Sequence, residues 1–281
     1  MNRQIKKYGL LILIFCICGF LNYHPQMLFG LNSPHWGWMF SLLSTILIIS
    51  FMRIRDPEKW SRKLGINFKK TDILRFVIIT MLLSVIAFFI VDFVSMVDGY
   101  DFKPKLFYYK TYLGANYPFH YIVANYLYYI PETFNEEMLI GALLLMGIER
   151  RFENLNKNYI VVIVALIFSV MHQGLYKWSP AQSGELLTLT TITTLFFVGV
   201  LRNSLILKTR NIALSWAIHL SFNMVFFSGL FINTGNGEFQ DEPEVFNIVF
   251  GNQTMFILSG LLAFASMIWL NMDKIKKEKA G

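Results

Sequence analysis

The sequence predicts an all-α polytopic membrane protein of about eight transmembrane helices, and three observations predict it. Of the 281 residues 55% are hydrophobic and only 15% charged, with a mean hydropathy of +0.48, a balance too apolar for a soluble domain. The apolar residues gather in eight runs, most of them near the roughly 20 residues that a helix needs to cross a hydrocarbon core of about 30 Å. The cationic residues between those runs fall on alternate sides, as the positive-inside rule requires of a correct set of spans.

In chain order the runs cover residues 8–23, 36–52 and 74–96, then 118–148, which is long and expected to be broken at Pro131, and then 158–174, 185–201, 211–232 and 254–271. On one side lie Arg3, Lys6 and Lys7; the cluster from Arg53 to Arg75; Arg150, Arg151 and Lys157; Arg202, Lys208 and Arg210; and Lys274 to Lys279. Only Lys103, Lys105, Lys110 and Lys177 fall on the other, together with the acidic loop around Glu238, Asp241, Glu242 and Glu244. Both termini are therefore expected in the cytoplasm. The net charge of +7 becomes a topology signal, with membrane lipids, including anionic headgroups, as partners and no nucleic acid.

The basic start before a short apolar run resembles a signal peptide, but no small-x-small cleavage site follows and Tyr23, His24 and Pro25 suit processing badly. Cys16 and Cys18 sit inside the first run, so neither a disulfide framework nor a thiolate metal site is expected. No repeat or long linker divides the chain, which reads as one integral membrane domain over residues 1–281. The connections at 97–117 and 233–253 are expected outside the cytoplasm.

Charged and strongly polar groups at membrane depth cost about 2.5–3.5 kcal/mol each on insertion scales, so a function is their default reading. Here they are Asp92, Glu132, Asn135, Glu136, Glu137, His172, His219 and Asn223. His24, His35 and His120 lie at span ends, where an imidazole reaches water. At about 1.5 Å of rise per residue, Glu136 stands about 21 Å from Arg150, His172 about 22 Å from Lys157, and Asn223 about 20 Å from Arg210. Those three are expected at one level. His219 sits one turn below Asn223, on the same helix face.

A carboxylate at that depth has its proton affinity raised by desolvation and by a like-charged neighbour, toward the range of a general base. Glu136 and Glu137 point about 100° apart on a helix, so one faces the site and the other must support it. His172 suits water activation, and His219 and Asn223 suit stabilisation of an oxyanion. No hydroxyl or thiol stands out as a nucleophile. The residues alone leave other readings open: interhelical hydrogen bonding, a proton or cation site in a transporter, or a zinc site made by Glu136, His172 and His219. The zinc reading is weakened because neither histidine has a second histidine four residues away.

Taken together, Glu136-Glu137, Phe168-Ser-Val-Met-His172, Phe196-Phe-Val-Gly199 followed by Lys208-Thr-Arg-Asn-Ile212, and His219-Leu-Ser-Phe-Asn223 resemble the motif series of the CPBP family of intramembrane proteases. These are the CAAX prenyl endoproteases, also called the Abi family, and their bacterial relatives. The resemblance covers roughly residues 118–232. It implies an intramembrane endopeptidase of a bacterial cell membrane acting on a peptide or a membrane-anchored protein. Glu136 with His172 would activate water, His219 and Asn223 would bind the oxyanion, and Glu137 would support the site. It favours a metal-free, glutamate-dependent mechanism without a cofactor, with zinc as the alternative. One position departs: the family's first motif is usually E-E-x-x-x-R, and Gly141 stands where the arginine is expected. That departure keeps a second reading in play, a non-catalytic scaffold, regulator or bacteriocin-immunity protein.

Overall fold

The computed structural model describes residues 9, 12–18, 37–66, 68, 70–98, 129–178, 187–226, 247 and 250–280. Among the described residues it is all-helical, with no strand. Within the eight apolar runs the described residues are helical apart from 187–188 and 211–212, which precede the two helices that follow them. After a helical stretch at 12–18, α1 is Gly37–Arg55, α2 the single turn Trp60–Lys63, and α3 Lys70–Asp98. Helix α4 covers residues 129–151; it is π-helical over Glu137–Leu145 and α-helical again over Met146–Arg151. Then follow α5 (Lys157–Trp178), α6 (Leu189–Thr209), α7 (Ala213–Phe226) and α8 (Gln253–Ala280).

Three stretches are long and apolar enough to cross a membrane, Ile73–Ile90, Leu189–Thr209 and Gln253–Met272, and Lys157–His172 is a shorter apolar helix. The first is the most telling. Its window has a mean hydropathy of 2.7 yet is only 11% buried, with Leu74, Met81, Leu82 and Phe89 on the outside. No aqueous surface carries such a face, and lipid is the solvent that suits it.

Polar residues set the helix ends. Thr188 caps α6 by accepting from the Thr191 amide at 3.1 Å, and Asn247 Oδ1 accepts from the Thr188 amide at 2.8 Å. Asn211 accepts from the Ala213 amide at the start of α7, and Asn252 from the Met255 amide at the start of α8, both at 2.7 Å. Helix α6 ends on Arg210, whose left-handed φ of 57° lets its amide reach the Ile206 carbonyl at 2.8 Å.

The packing places α4 at the centre. All of its π-helical residues except Leu144 are buried, and α1, α5 and α6 lie against it. Helix α6 in turn packs on α5 and α8, and α7 on α3. The α5–α6 crossing is close because Gly199 faces Ala165: a Cβ on Gly199 would stand 3.1 Å from the Ala165 Cα and Cβ. Small residues at such a crossing let two backbones approach in lipid, where no hydrophobic force drives helices together. At the end of the bundle that carries Arg150 and Arg210, the turn after α2 docks on it: the Ile212 amide donates to the Gly65 carbonyl at 3.1 Å, and Arg150 Nη1 donates to the Lys63 carbonyl. Gly65 has φ +65°, and a Cβ there would stand 3.3 Å from Met146 Sδ.

Two expectations change. The described part of α4 is helical from residue 129 through Pro131 without a break. Helix α6 runs eight residues beyond the expected span end at 201, to Thr209, so Arg202 belongs inside the bundle and not to a basic loop. His24, His35 and His120, the connection at 97–117 beyond Asp98, most of the acidic connection at 233–253, and the side chain of Asp92 lie outside the described residues.

Candidate active site

The site is built where α4, α5, α6 and α7 meet. Glu136 and Glu137 sit at the junction where α4 widens from α to π geometry, a rare distortion that occurs mostly at functional sites. Being neighbours on a helix they diverge, and their surroundings differ accordingly.

Glu137 is 0% exposed and fully engaged. Its Oε1 accepts from Arg202 Nε of α6 at 2.8 Å and faces His219 Nδ1 of α7 at 3.2 Å, while its Oε2 accepts from Ser215 Oγ of α7 at 2.9 Å. Three donors from two helices therefore saturate one carboxylate. Glu136 is half-buried instead, and its Oε2 lies 3.5 Å from His219 Nε2.

His172 comes from α5 and is 8% exposed. Its Nδ1 lies 2.8 Å from the Phe168 carbonyl. A carbonyl only accepts, so Nδ1 carries the hydrogen, and in the neutral ring the lone pair is on Nε2. The same reasoning gives His219 a hydrogen on Nδ1, pointing at Glu137. The Phe168 and His172 rings pack at 4.5 Å, and His172 is within electrostatic reach of Glu136, His219 and Arg202. Asn223 is half-buried one turn after His219 on α7. Trp216, also on α7, donates from Nε1 to Thr133 Oγ1 at 3.0 Å and stacks on Phe76 of α3 at 4.2 Å, which fixes α7 against α4 and α3.

The structure thus brings Glu136, Glu137 and His219 into direct contact, sets His172 within their field, and keeps Asn223 on the His219 helix. Asn135 stands apart from them: its Oδ1 accepts from Thr45 Oγ1 of α1 at 3.2 Å, an interhelical bond. Among the described residues no three His, Cys, Asp or Glu side chains converge so as to hold a metal ion. The Nδ1 atoms of both histidines are directed at protein oxygens, which leaves their Nε2 atoms on the side of Glu136 undecided between water and metal chemistry.

Sequence reasoning missed two participants, Arg202 and Ser215. The signal for Arg202 was a lone cation six residues before Lys208 in an otherwise apolar helix; Ser215 carried none. A Cβ on Gly141 would meet Ile206 Cδ1 at 2.6 Å, Glu137 Oε2 at 3.3 Å and Arg202 Nη2 at 3.4 Å. The place beside Gly141 where an arginine side chain was expected is filled from the neighbouring helix.

Compared with known proteins, residues 115–225 match the family described as type II CAAX prenyl endopeptidase Rce1-like. No curated protein and no solved structure matches the chain. The matched segment contains Glu136, Glu137, His172, Arg202, Ser215, His219 and Asn223. By that match the part of the chain that builds the site is similar to the Rce1-like family of type II CAAX prenyl endopeptidases.

Proposed function

We infer that this protein is an intramembrane endopeptidase that hydrolyses a peptide bond in a membrane-associated peptide or protein, using water activated by Glu136 and His172. The observation that carries the reading is the division between the two glutamates: Glu137 is consumed by three donors, and Glu136 is left half-buried facing the imidazole of His219. A carboxylate held at membrane depth beside histidines, with a saturated partner behind it, suits proton transfer and little else.

Water bound between Glu136 and His172 loses a proton to the Glu136 carboxylate as its oxygen attacks the scissile carbonyl carbon, with His172 Nε2 accepting a hydrogen bond from the same water. The π electrons of the carbonyl move to its oxygen. Asn223 donates to that oxyanion, and so does His219 when its second ring nitrogen carries a proton, the imidazolium being held by Glu137 through Nδ1. Collapse of the intermediate breaks the C–N bond, and Glu136 returns the proton to the leaving nitrogen. Ser215 is no rival nucleophile, since its hydroxyl is buried and donates to Glu137. The metal-free route is preferred on the resemblance, and the chelator arm of the test decides it. The full reading includes eight spans, both termini cytoplasmic, and a bacterial cell membrane. The scaffold alternative rested on Gly141, and Arg202 beside it weakens that ground.

The test is cleavage of a panel of tagged single-span and lipidated peptides by purified protein in liposomes, wild type against Glu136→Ala, with and without a chelator. Cleavage that needs Glu136 and ignores the chelator is expected. Normal cleavage by the variant overturns the reading, and loss of cleavage on chelation moves the chemistry to a metal ion.

A further inference from the structure

We propose that Arg202 is the positioning residue of this site, holding both glutamates from helix α6, and that Gly141 is glycine because the arginine arrives from across the helix interface. The proposal rests on the hydrolytic reading for its effect on rate, though not for its geometry.

Four observations converge on Arg202. It is 6% exposed, a guanidinium in the interior of a helix that is itself apolar enough to cross a membrane, so its cost must be offset locally. Its Nε donates to Glu137 Oε1 at 2.8 Å, and its Nη2 donates to the Glu136 backbone carbonyl at 3.1 Å. One planar group therefore grips the side chain of one glutamate and the main chain of the other, at the point where the helix widens. Its Cζ also lies 5.2 Å from the centre of the Phe168 ring, and Phe168 both packs on His172 and accepts from its Nδ1. The α4 and α5 arms of the site thus rest on one side chain.

Gly141 completes the argument from the other side. The space at its Cβ is already shared by Arg202 Nη2, Glu137 Oε2 and Ile206 Cδ1, so a side chain on α4 and Arg202 on α6 compete for one place. An arginine at 141 would stand one turn from Glu137 and address the same carboxylate. The two positions are alternative mounts for one guanidinium.

The test is an exchange series in detergent: Arg202→Met, Arg202→Lys, Gly141→Arg, Ile206→Ala, and the exchange of Gly141→Arg with Arg202→Gly and Ile206→Ala. Melting temperature is read for all, and kcat and KM for a peptide that wild type cuts, below each variant's melting point. Arg202→Met is expected to lower the melting temperature and to reduce kcat by about 10²-fold with little change in KM, the cost of misplacing a catalytic group by about 1 Å. Arg202→Lys keeps the charge and loses the fork, so it falls between. The exchange variant regains melting temperature, and kcat with it, beyond what Ile206→Ala or Gly141→Arg shows alone. Unchanged kcat in folded Arg202→Met makes the residue structural and overturns the positioning role. Should wild type and variants cut no peptide, the hydrolytic reading is what fails, and the melting series still decides: recovery on exchange upholds the shared place of the guanidinium, and its absence overturns it.

Discussion

Replacing each of the adjacent glutamates with glutamine separates chemistry from architecture. In Glu137→Gln the amide can keep its oxygen toward Arg202 Nε and His219 Nδ1 and turn its NH2 to Ser215, whose hydroxyl can accept, so the three contacts at 2.8, 3.2 and 2.9 Å survive in form. What is lost is the charge. Arg202 is then buried without a counter-ion, and breaking a buried pair by removing one partner costs about 3–5 kcal/mol. Taken at about 2–4 °C per kcal/mol, the figure for large domains, the melting temperature falls by roughly 10 °C. Glu136→Gln has no such penalty, because it leaves no buried cation unpaired and its contact with His219 Nε2 is a long one, at 3.5 Å; a loss of about 1 kcal/mol is expected. Its effect on rate is the reverse, about 10²–10⁴-fold, the contribution of a positioned general base. Thermal melts by tryptophan fluorescence and peptide cleavage on the same preparations measure both quantities. A Glu136→Gln protein as destabilised as Glu137→Gln, or a Glu136→Gln protein that cuts at the wild-type rate, refutes the division of roles.

Three more outcomes follow from the same packing. Gly199→Val puts atoms where a Cβ alone would stand 3.1 Å from Ala165 and 3.2 Å from Phe168 Cδ1; overpacking of about 1–3 kcal/mol is expected, with a further loss of cleavage because Phe168 carries His172, and Ala165→Gly should restore part of both. Ser215→Ala removes one donor from a buried carboxylate and should cost about 1.5–3 kcal/mol in melts while the protein still cuts. Outside the membrane, hydrogen bonds from Arg210 at 2.8 and 2.6 Å hold Glu149 below the usual carboxylate range. A lowered folded pKa gives stability that is fully present above the unfolded value of about 4.3 and is lost as pH falls through the folded one. Glu149→Gln should therefore melt slightly lower at pH 7, by about 0.5–1 kcal/mol for a solvent-screened pair, with the gap closing as pH falls below the ordinary carboxylate range; a gap that does not narrow on acidification contradicts the assignment.

The helices were legible because a membrane leaves few alternatives: a long apolar run must be a helix that satisfies its own backbone. The site was legible for the complementary reason, since polar groups at depth are rare enough to stand out. Arg202 escaped because the positive-inside pattern assigns any cation near Lys208 and Arg210 to a loop, and only packing reveals that this one turns inward. The depth arithmetic set His219 a turn below Glu136, yet the two side chains meet. It assumed α-helical rise throughout, whereas nine residues between Glu136 and Arg150 are π-helical and climb less per residue.

These points share a cause. With lipid outside, burial of apolar surface does little to hold the helices together, and the bundle depends on close crossings such as Gly199 on Ala165 and on polar pairing such as Arg202 with Glu137. The groups that hold the bundle are then the groups that line the site, so most substitutions there disturb fold and chemistry together. Glu136 is the exception, because its carboxylate makes a looser contact across the helices, 3.5 Å to His219 Nε2, while its backbone carbonyl is gripped by Arg202. Under the proposed mechanism that arrangement suits a water-activating residue: a main chain fixed by its neighbours and a side chain less tightly bound than that of Glu137.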